Sequence, residues 1–389
     1  MIHDFDRVID RRATESNKWH KYPPDVLPLW VADMDFASPE PVVRALRERV
    51  EHGVFGYGYE EPEFAEVFVR RLRQRYGWPV APEAIVLLPG VISGLNVAGR
   101  ILAAPGDGLV LQTPVYPPIL RVAGNLGVAR QENELTRRDD GRYEIDFDGF
   151  AHTVTDRSRF FLLCNPHNPV GRVFRRDELA RLAEIALGRG LAIVADEIHC
   201  DVLFSGQRHV PIASLAPEVA ERTITLMAPS KTFNLAGLKC SVAVIPNRAL
   251  RERFVAGRAD LVLAVNILGY TAALAAYRDG APWLAQLLRY LEANRDFLAE
   301  YVNKELPGVT MAPPEGTYLA WLDCRQAGLP GNDPFTFFLE RGRVALNDGL
   351  TFGDPGRGFV RLNFGCPRSL LATGLARMRD ALRALRAPP

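Results

Sequence analysis

Three short apolar runs, each leading into polar residues, constrain the fold of this chain most strongly. The runs cover residues 160–164, 191–195 and 223–227. Each is rich in large or β-branched apolar side chains, as is typical of strands buried on both faces. Helical patterns separate them, which predicts an open α/β sheet. The polar segments contain Asn168, Asp196 and Lys231. Because ligands bind outside the carboxyl ends of strands in such sheets, we expect these three side chains to converge there.

An amine, a carboxylate and an amide are side chains that pyridoxal 5′-phosphate (PLP) requires. The amine of Lys231 can bind the cofactor aldehyde, the carboxylate of Asp196 can pair with the protonated ring nitrogen, and the amide of Asn168 can bond the ring hydroxyl. The chain reads N-P-x-N-P-x-G from Asn165, D-E-x-H from Asp196 and S-K-x-x-x-x-x-G from Ser230. These motifs, in this order, resemble the fold type I PLP-dependent enzymes of the aminotransferase class I/II family.

The resemblance implies an architecture. We expect an α/β fold type I PLP-dependent transferase, with a large domain in which a mostly parallel seven-stranded sheet lies between helices, and a smaller α+β C-terminal domain. The expected boundaries are an N-terminal arm with part of the small domain at 1–45, the large PLP-binding domain at 46–285 and the small domain at 286–389.

The resemblance also implies which residues hold the cofactor. A strand, a glycine turn and a helix start follow one another around residues 85–94. Such a helix start offers free backbone N–H groups to a phosphate. An aromatic side chain at the end of a later strand stacks on the pyridine ring in this family. The expected contacts are Val91, Ile92 and Ser93 with the phosphate, and Tyr116 with the ring.

Two positions depart from the family pattern at the phosphate. Ala228 stands where many relatives have a phosphate-binding serine, and we expect Ser230 to compensate. Lys239 stands where many aminotransferases have a phosphate-binding arginine. A lysine supplies charge without the planar fork of arginine, so contact and no contact remain equal alternatives for Lys239.

The segment 358–363 carries an R-x-N motif beginning at Arg361. In the family this arginine holds the α-carboxylate of the substrate, because a guanidinium makes two parallel charge-assisted bonds to one carboxylate. The alternation of the segment also allows the guanidinium to face water. The resemblance implies substrate contacts by Arg361, Asn168 and Ala32.

Four segments narrow the resemblance to one branch of the family. Segments 31–36, 52–57, 196–199 and 358–363 look like the MalY/PatB-type cystathionine β-lyases, also called C–S lyases. His199 stands where typical aminotransferases have a tyrosine that bonds the ring oxygen, so we expect it to contact the cofactor. Tyr57 is similar to the tyrosine that reaches the PLP phosphate of the other subunit. This implies a homodimer with shared active sites; a simple turn aromatic is the alternative.

These features predict a PLP-dependent carbon–sulfur β-lyase that cleaves cystathionine or another cysteine S-conjugate to thiol, pyruvate and ammonia. Residue chemistry does not separate it from an aminotransferase, because both use Lys231 as the base and the same electron sink. A PLP enzyme of secondary metabolism and a PLP-fold protein that mainly binds a partner are further alternatives. The intact set of Lys231, Asp196, Asn168 and Arg361 argues against the last.

Charge and cysteine content bear on partners and location. A formal net charge of +1 gives no electrostatic reason to expect a nucleic-acid or membrane partner. The first residues are charged and no apolar stretch approaches a membrane span, so we expect neither a signal peptide nor a transmembrane helix. Five cysteines without a C-x-x-C pair predict a reduced cytoplasmic protein without a metal site. The arginine-rich stretch 70–75 is predicted to lie on the solvated face of a helix.

Overall fold

A seven-stranded sheet forms the centre of the computed structural model, which describes residues 3–386. In chain order its strands are β1 (Ile85–Leu88), β2 (Gly108–Thr113), β3 (Ala129–Glu134), β4 (Ser158–Cys164), β5 (Ala192–Asp196), β6 (Thr223–Met227) and β7 (Ser241–Val244). Their spatial order is β1-β7-β6-β5-β4-β2-β3. All neighbours are parallel except β7, which runs antiparallel to both β6 and β1. The predicted mostly parallel sheet is confirmed.

The three apolar runs are adjacent strands in the middle of this sheet. In the registers of β4, β5 and β6, Asp196 pairs with Cys164 on one side and with Leu226 on the other. The polar residues that follow these strands therefore leave the sheet at the same edge. The sequence pattern placed the end of β5 one residue early, at Ala195, because the ladder continues through the aspartate.

Helices cover the sheet and complete the chain. They are α1 (Glu40–Glu51), α2 (Pro62–Tyr76), α3 (Val91–Leu102), α4 (Pro117–Leu126), α5 (Phe147–Thr153), α6 (Arg176–Gly188), α7 (Arg248–Ala256), α8 (Ile267–Asp279), α9 (Ala281–Glu305), α10 (Pro334–Glu340) and α11 (Arg368–Arg386), with four-residue helices at Asn17–His20, Pro217–Ala220 and Pro229–Thr232. Within residues 3–386, none of these combines the length and apolar character that a membrane-spanning helix needs.

Both faces of the central strands are buried under helices. On β5, Val194 packs in one apolar cluster with Leu95 of α3, whereas Ile193 packs in another with Leu182 of α6. Helix α3 approaches the sheet closely, because a Cβ on Gly94 would lie 2.8 Å from Leu226 Cδ2. This contact fixes the first turn of α3 beside the carboxyl end of β6.

A smaller antiparallel sheet occupies the C-terminal part of the chain. Its strands are β8 (Leu319–Asp323), β9 (Asn347–Asp348) and β10 (Phe359–Asn363), in the order β8-β10-β9. The N-terminal arm joins this region, since Leu27–Pro28 pairs in parallel with Val344–Ala345. A further two-residue ladder links Thr136–Arg137 and Tyr143–Glu144. The domain boundaries after residues 45 and 285 stay a prediction.

Candidate active site

A cavity of about 250 Å³ opens at the carboxyl ends of β4, β5 and β6. Most of the residues predicted from the sequence line it. They are Ala32, Val91, Ile92, Ser93, Tyr116, Asn168, Asp196, His199, Ser230, Lys231 and Lys239. Of the other two predicted residues, Arg361 adjoins Asn168 and Tyr57 lies elsewhere on the surface.

Lys231 projects into the cavity from the short helix that follows β6. Its Nζ donates a 2.6 Å hydrogen bond to the carbonyl of Ala32. Burial and, next, the nearby Arg361 guanidinium lower the pKa of the amine to about 8, although the carboxylates of Asp33 and Asp196 act in the opposite direction. A lysine with this pKa is neutral in a substantial fraction of molecules near pH 8, which is the state that attacks an aldehyde or removes a proton.

Asp196 lies at the end of β5 and is buried. Its Oδ1 accepts a 3.1 Å hydrogen bond from the backbone N–H of Ile198. Burial raises the pKa of this carboxyl to about 7, and the bond from Ile198 and the charge of Lys231 only partly offset it. A carboxyl in this state is suited to a ligand that brings a cationic N–H group to it.

His199 is buried three residues after Asp196. Burial holds the pKa of its imidazole well below the usual value, and the charges of Lys231 and Arg361 act in the same direction. The ring is therefore neutral near pH 7. Its Nδ1 has no hydrogen-bond partner within the described residues, and the ring meets Tyr318 edge-on at 6.0 Å between centroids. A buried nitrogen without a partner indicates room for a polar ligand atom.

Arg361, on β10, is a buried guanidinium whose hydrogen-bond partners are uncharged. Its Nη1 donates to Asn168 Oδ1 at 3.0 Å, and its Nη2 donates to the Trp30 carbonyl at 3.0 Å and to Asn347 Oδ1 at 2.5 Å. Its Nε has no partner among residues 3–386. Burial lowers the pKa of Arg361 to about 10, so the group stays charged near neutral pH. A buried cation with only neutral acceptors is suited to an anionic ligand.

The first residues of α3 line one end of the cavity, and this end fits a phosphate. Val91 and Ile92 are the first two residues of this twelve-residue helix. The first N–H groups of a helix lack partners within it and carry the positive end of its dipole. Ser93, Ser230 and Lys239 line the same cavity, so hydroxyl groups and a cation accompany the helix start.

The N-terminal arm forms one wall of the site. The carbonyl of Ala32 accepts hydrogen bonds from both Lys231 Nζ and the Tyr318 hydroxyl, at 2.6 and 3.1 Å. The side-chain amide of Asn363 donates to the carbonyls on either side of Ala32, and Asn234 bonds the arm a little further along. Sequence reasoning missed Tyr318 and Asn234, because Tyr318 lies in no motif and Asn234 occupies an unspecified position of the S-K-x-x-x-x-x-G motif.

An ionic network centred on the buried Asp201 lies next to the helix that carries Lys231. It contradicts part of the prediction for the arginine-rich stretch 70–75. Asp201 pairs with Arg71 at 2.7 Å and with Arg75 at 2.6 Å, and it accepts hydrogen bonds from Tyr76 and Thr232. The prediction that the whole arginine-rich stretch is solvated is therefore wrong. Arg71 and Arg75 lie four residues apart and share the inner face of α2. Arg70 and Arg73 are exposed, as predicted, and so is Arg75 despite its pairing with Asp201.

Tyr57 does not reach the cavity of its own chain. Its side chain is fully exposed, and the hydroxyl of Tyr270 on α8 bonds the carbonyl of Glu61 at the end of the same segment. Other large apolar side chains next to α8 are also exposed. These exposed side chains are Val54, Phe55, Tyr59, Leu261 and Leu263.

The site as built fits PLP. Lys231 offers an amine for the aldehyde, Asp196 a counter-charge for the ring nitrogen, and His199 an unpartnered nitrogen at the cavity. The helix start and Lys239 fit a phosphate. Together with the seven-stranded sheet, this arrangement defines the class of fold type I PLP-binding proteins.

Comparisons with known proteins place the chain within this class. The sequence profile of the family "Aminotransferase class I and II" matches residues 24–378. The chain belongs to this family. It is 40% identical over 386 residues to cystathionine beta-lyase PatB of Bacillus subtilis, covering 97% of this chain and 100% of PatB.

Two solved structures show the same similarity in three dimensions. The structure of OvoB is 45% identical, with a TM-score of 0.93 and coverage of 97% of this chain and 99% of that one. The PLP-bound C–S lyase from Staphylococcus hominis is 33% identical, with a TM-score of 0.93 and coverage of 99% and 100%. The expectation of this family and fold is confirmed.

Proposed function

We propose that this chain is a PLP-dependent carbon–sulfur β-lyase. It converts cystathionine or another cysteine S-conjugate, with one water, to a thiol, pyruvate and ammonia. The observation that carries the proposal is the convergence of Lys231, Asp196 and Arg361 on one buried site, in a chain similar over its whole length to a cystathionine β-lyase.

Different residues around the cavity are assigned to different parts of the cofactor. Lys231 Nζ would hold the aldehyde carbon, and Asp196 would supply the negative charge for the ring nitrogen. His199 and Asn168 are assigned to the ring oxygen. Tyr116, which lines the cavity, would lie against the ring; its backbone N–H donates to the carbonyl of Asn168 at 3.0 Å. When bound, PLP supplies the electron sink that stabilises negative charge at the substrate α-carbon.

The phosphate is assigned to the start of α3. Backbone N–H groups of Val91 and Ile92 and the hydroxyls of Ser93 and Ser230 are the donors, and Lys239 adds a positive charge. Lys239 lines the same cavity as Val91, Ile92 and Ser230. This shared lining supports a phosphate role for Lys239 over the alternative of no contact.

The substrate is held by its carboxylate and loses its α-proton to the lysine. Arg361 binds the α-carboxylate, and Asn168, already bonded to Arg361, keeps the guanidinium oriented. Lys231 Nζ takes the proton from the α-carbon. Ala32 contributes its backbone carbonyl, which orients Nζ while the amine is free and lies beside the substrate.

The active enzyme is proposed to be a homodimer in which Tyr57 reaches the phosphate site of the partner. The exposed apolar side chains of segments 54–59 and 261–263 support this, because large exposed apolar surface marks interaction sites. Mixing Tyr57→Ala with Lys231→Ala protein should restore partial activity through hybrid dimers. A fully active monomer would contradict the assignment.

A cytoplasmic location is also proposed. All five cysteines are buried and unpaired, which fits a reducing compartment.

A product assay separates the lyase from an aminotransferase. With L-cystathionine or an S-alkyl cysteine, pyruvate, ammonia and thiol should appear in equal amounts without any keto-acid co-substrate. Turnover that depends on 2-oxoglutarate or pyruvate and releases no ammonia would instead establish an aminotransferase. Borohydride reduction of the holoenzyme followed by peptide mapping should place the pyridoxyl group on Lys231, whichever reaction is found.

A further inference from the structure

The surroundings of Arg361 contain a neutral side chain where an acidic one would be expected. A buried arginine is normally paired with a carboxylate, since an uncompensated charge is costly to bury. The acceptors that Arg361 finds within residues 3–386 are instead two side-chain amide oxygens and one backbone carbonyl. The ring of Phe352 lies 5.0 Å from the guanidinium carbon, and it too carries no net charge.

Asn347 is the least expected member of this set. It lies on β9 and is the register partner of Arg361 across the antiparallel pair. Its Oδ1 accepts a 2.5 Å bond from Nη2, which also donates to the Trp30 carbonyl. Directly paired residues of an antiparallel ladder lie on the same face of the sheet, which brings the Asn347 side chain beside the guanidinium. No motif in the sequence pointed to it.

We infer that Asn347 is a specificity-determining positioning residue: its neutral oxygen orients the Arg361 guanidinium while leaving the positive charge available for the substrate α-carboxylate. This inference rests on the proposed role of Arg361. An acidic side chain at position 347 would orient the guanidinium equally well, but it would neutralise the charge and compete with the substrate. Neutrality, rather than hydrogen bonding alone, is therefore the property that the site requires of this residue.

The matched substitutions Asn347→Asp and Asn347→Ala test this in the holoenzyme. Asn347→Asp keeps the size and the acceptor and adds a negative charge, whereas Asn347→Ala removes the acceptor and adds none. We expect Asn347→Asp to raise KM for L-cystathionine by about tenfold or more, because charge-assisted bonds are roughly twice as strong as neutral ones. The effect on kcat should be smaller, and the KM of Asn347→Ala should rise clearly less.

Two measurements separate loss of charge from loss of structure. The melting temperature of Asn347→Asp should equal or exceed that of wild type, since a new ion pair with Arg361 forms in the ligand-free site. Binding of S-methylcysteamine, a substrate-like amine without a carboxylate, should change the cofactor absorbance at the same concentrations in wild type and Asn347→Asp. A merely structural role would lower the melting temperature and weaken both ligands alike.

The result that overturns the inference is an Asn347→Asp protein whose KM rises no more than that of Asn347→Ala, or that loses affinity equally for the amine without a carboxylate. An Arg361→Ala control distinguishes this from failure of the proposed function. If Arg361→Ala leaves KM unchanged, Arg361 does not bind the carboxylate. Both the proposed substrate site and the inference about Asn347 are then refuted. If Arg361→Ala raises KM while Asn347→Asp does not, only the inference fails.

Discussion

Replacing Asp201 by asparagine should destabilise the protein, because this carboxylate neutralises two arginines behind the active-site lysine. The substitution keeps the shape of the side chain and removes its charge. The present contacts are Arg71 at 2.7 Å, Arg75 at 2.6 Å, the Tyr76 hydroxyl at 2.6 Å and the Thr232 hydroxyl at 3.0 Å. Since Thr232 follows Lys231 directly, the network also fixes the helix that carries the lysine.

The magnitude follows from the burial of each partner. Breaking a buried ion pair costs about 3–5 kcal/mol, because the remaining charge is left uncompensated. The Arg71 side chain is 11% exposed, so we expect the loss of its ion pair to cost an amount within that range. The Arg75 side chain is 33% exposed, so solvent screens much of its loss. Asparagine keeps one acceptor oxygen and part of the hydrogen bonding. We therefore expect the free energy of unfolding to fall by roughly 3 kcal/mol.

The pH dependence has a definite sign. Burial opposes ionisation of Asp201, but Arg71 and Arg75 outweigh it and hold the pKa of this carboxyl well below its usual range. A depressed carboxyl pKa stabilises the folded state above the unfolded pKa, and this contribution is lost as the pH falls through the folded pKa. The difference between wild type and Asp201→Asn should be largest near pH 7 and shrink below pH 3.8.

Urea unfolding of the cofactor-free proteins at one protein concentration measures the change. A double-mutant cycle with Arg71→Met isolates the ion pair, since interacting residues give non-additive changes. Asp279→Asn is the matched control, because its ion pair with Arg278 is exposed and should contribute little. A loss below about 1 kcal/mol for Asp201→Asn, or additivity with Arg71→Met, would refute the reasoning.

Three further predictions concern the active site and the proposed interface. Arg361→Ala should lower kcat/KM by roughly ten- to a hundredfold, mainly through KM, which steady-state kinetics will show. Lys231→Met should stabilise the cofactor-free protein at pH 7 by about 2–3 kcal/mol, because burial disfavours the charged amine; urea unfolding should show this gain shrinking as the pH rises from about 8 towards 10.5. Leu263→Asp should shift the protein towards monomer in sedimentation analysis, whereas the control Val8→Asp, also on an exposed side chain, should not.

The sequence was informative wherever local pattern and position in the sheet coincide. The apolar runs predicted the central strands, and the topology of a parallel sheet then brought Asn168, Asp196 and Lys231 to one edge. The error at the end of β5 was one residue, because an aspartate looks like a loop residue but completes the ladder. The cavity was thus predictable from residues whose partners are set by strand order.

The sequence was uninformative where a role depends on a distant neutral or backbone group. The acceptor for Lys231 is a carbonyl of residue 32, which any residue type would provide. Asn347 and Tyr318 carry no charge and no motif, so their approach to the site shows only in three dimensions. The inward arginines of α2 look like solvated ones, because their partner Asp201 lies more than a hundred residues away.

The charges of the site explain how one fold binds both cofactor and substrate. Lys231 and Arg361 are buried cations whose pKa values burial lowers, and Asp196 is a buried acid whose pKa burial raises. Each is unfavourable in the free protein, because no side chain pairs with it fully. In the proposed assignment, a protonated ring nitrogen pairs with Asp196, an α-carboxylate pairs with Arg361, and the cofactor aldehyde takes the amine of Lys231. The burial of these groups destabilises the free protein, and binding relieves that destabilisation. Only a cofactor and a substrate that together carry all three groups in the right places gain the full binding energy.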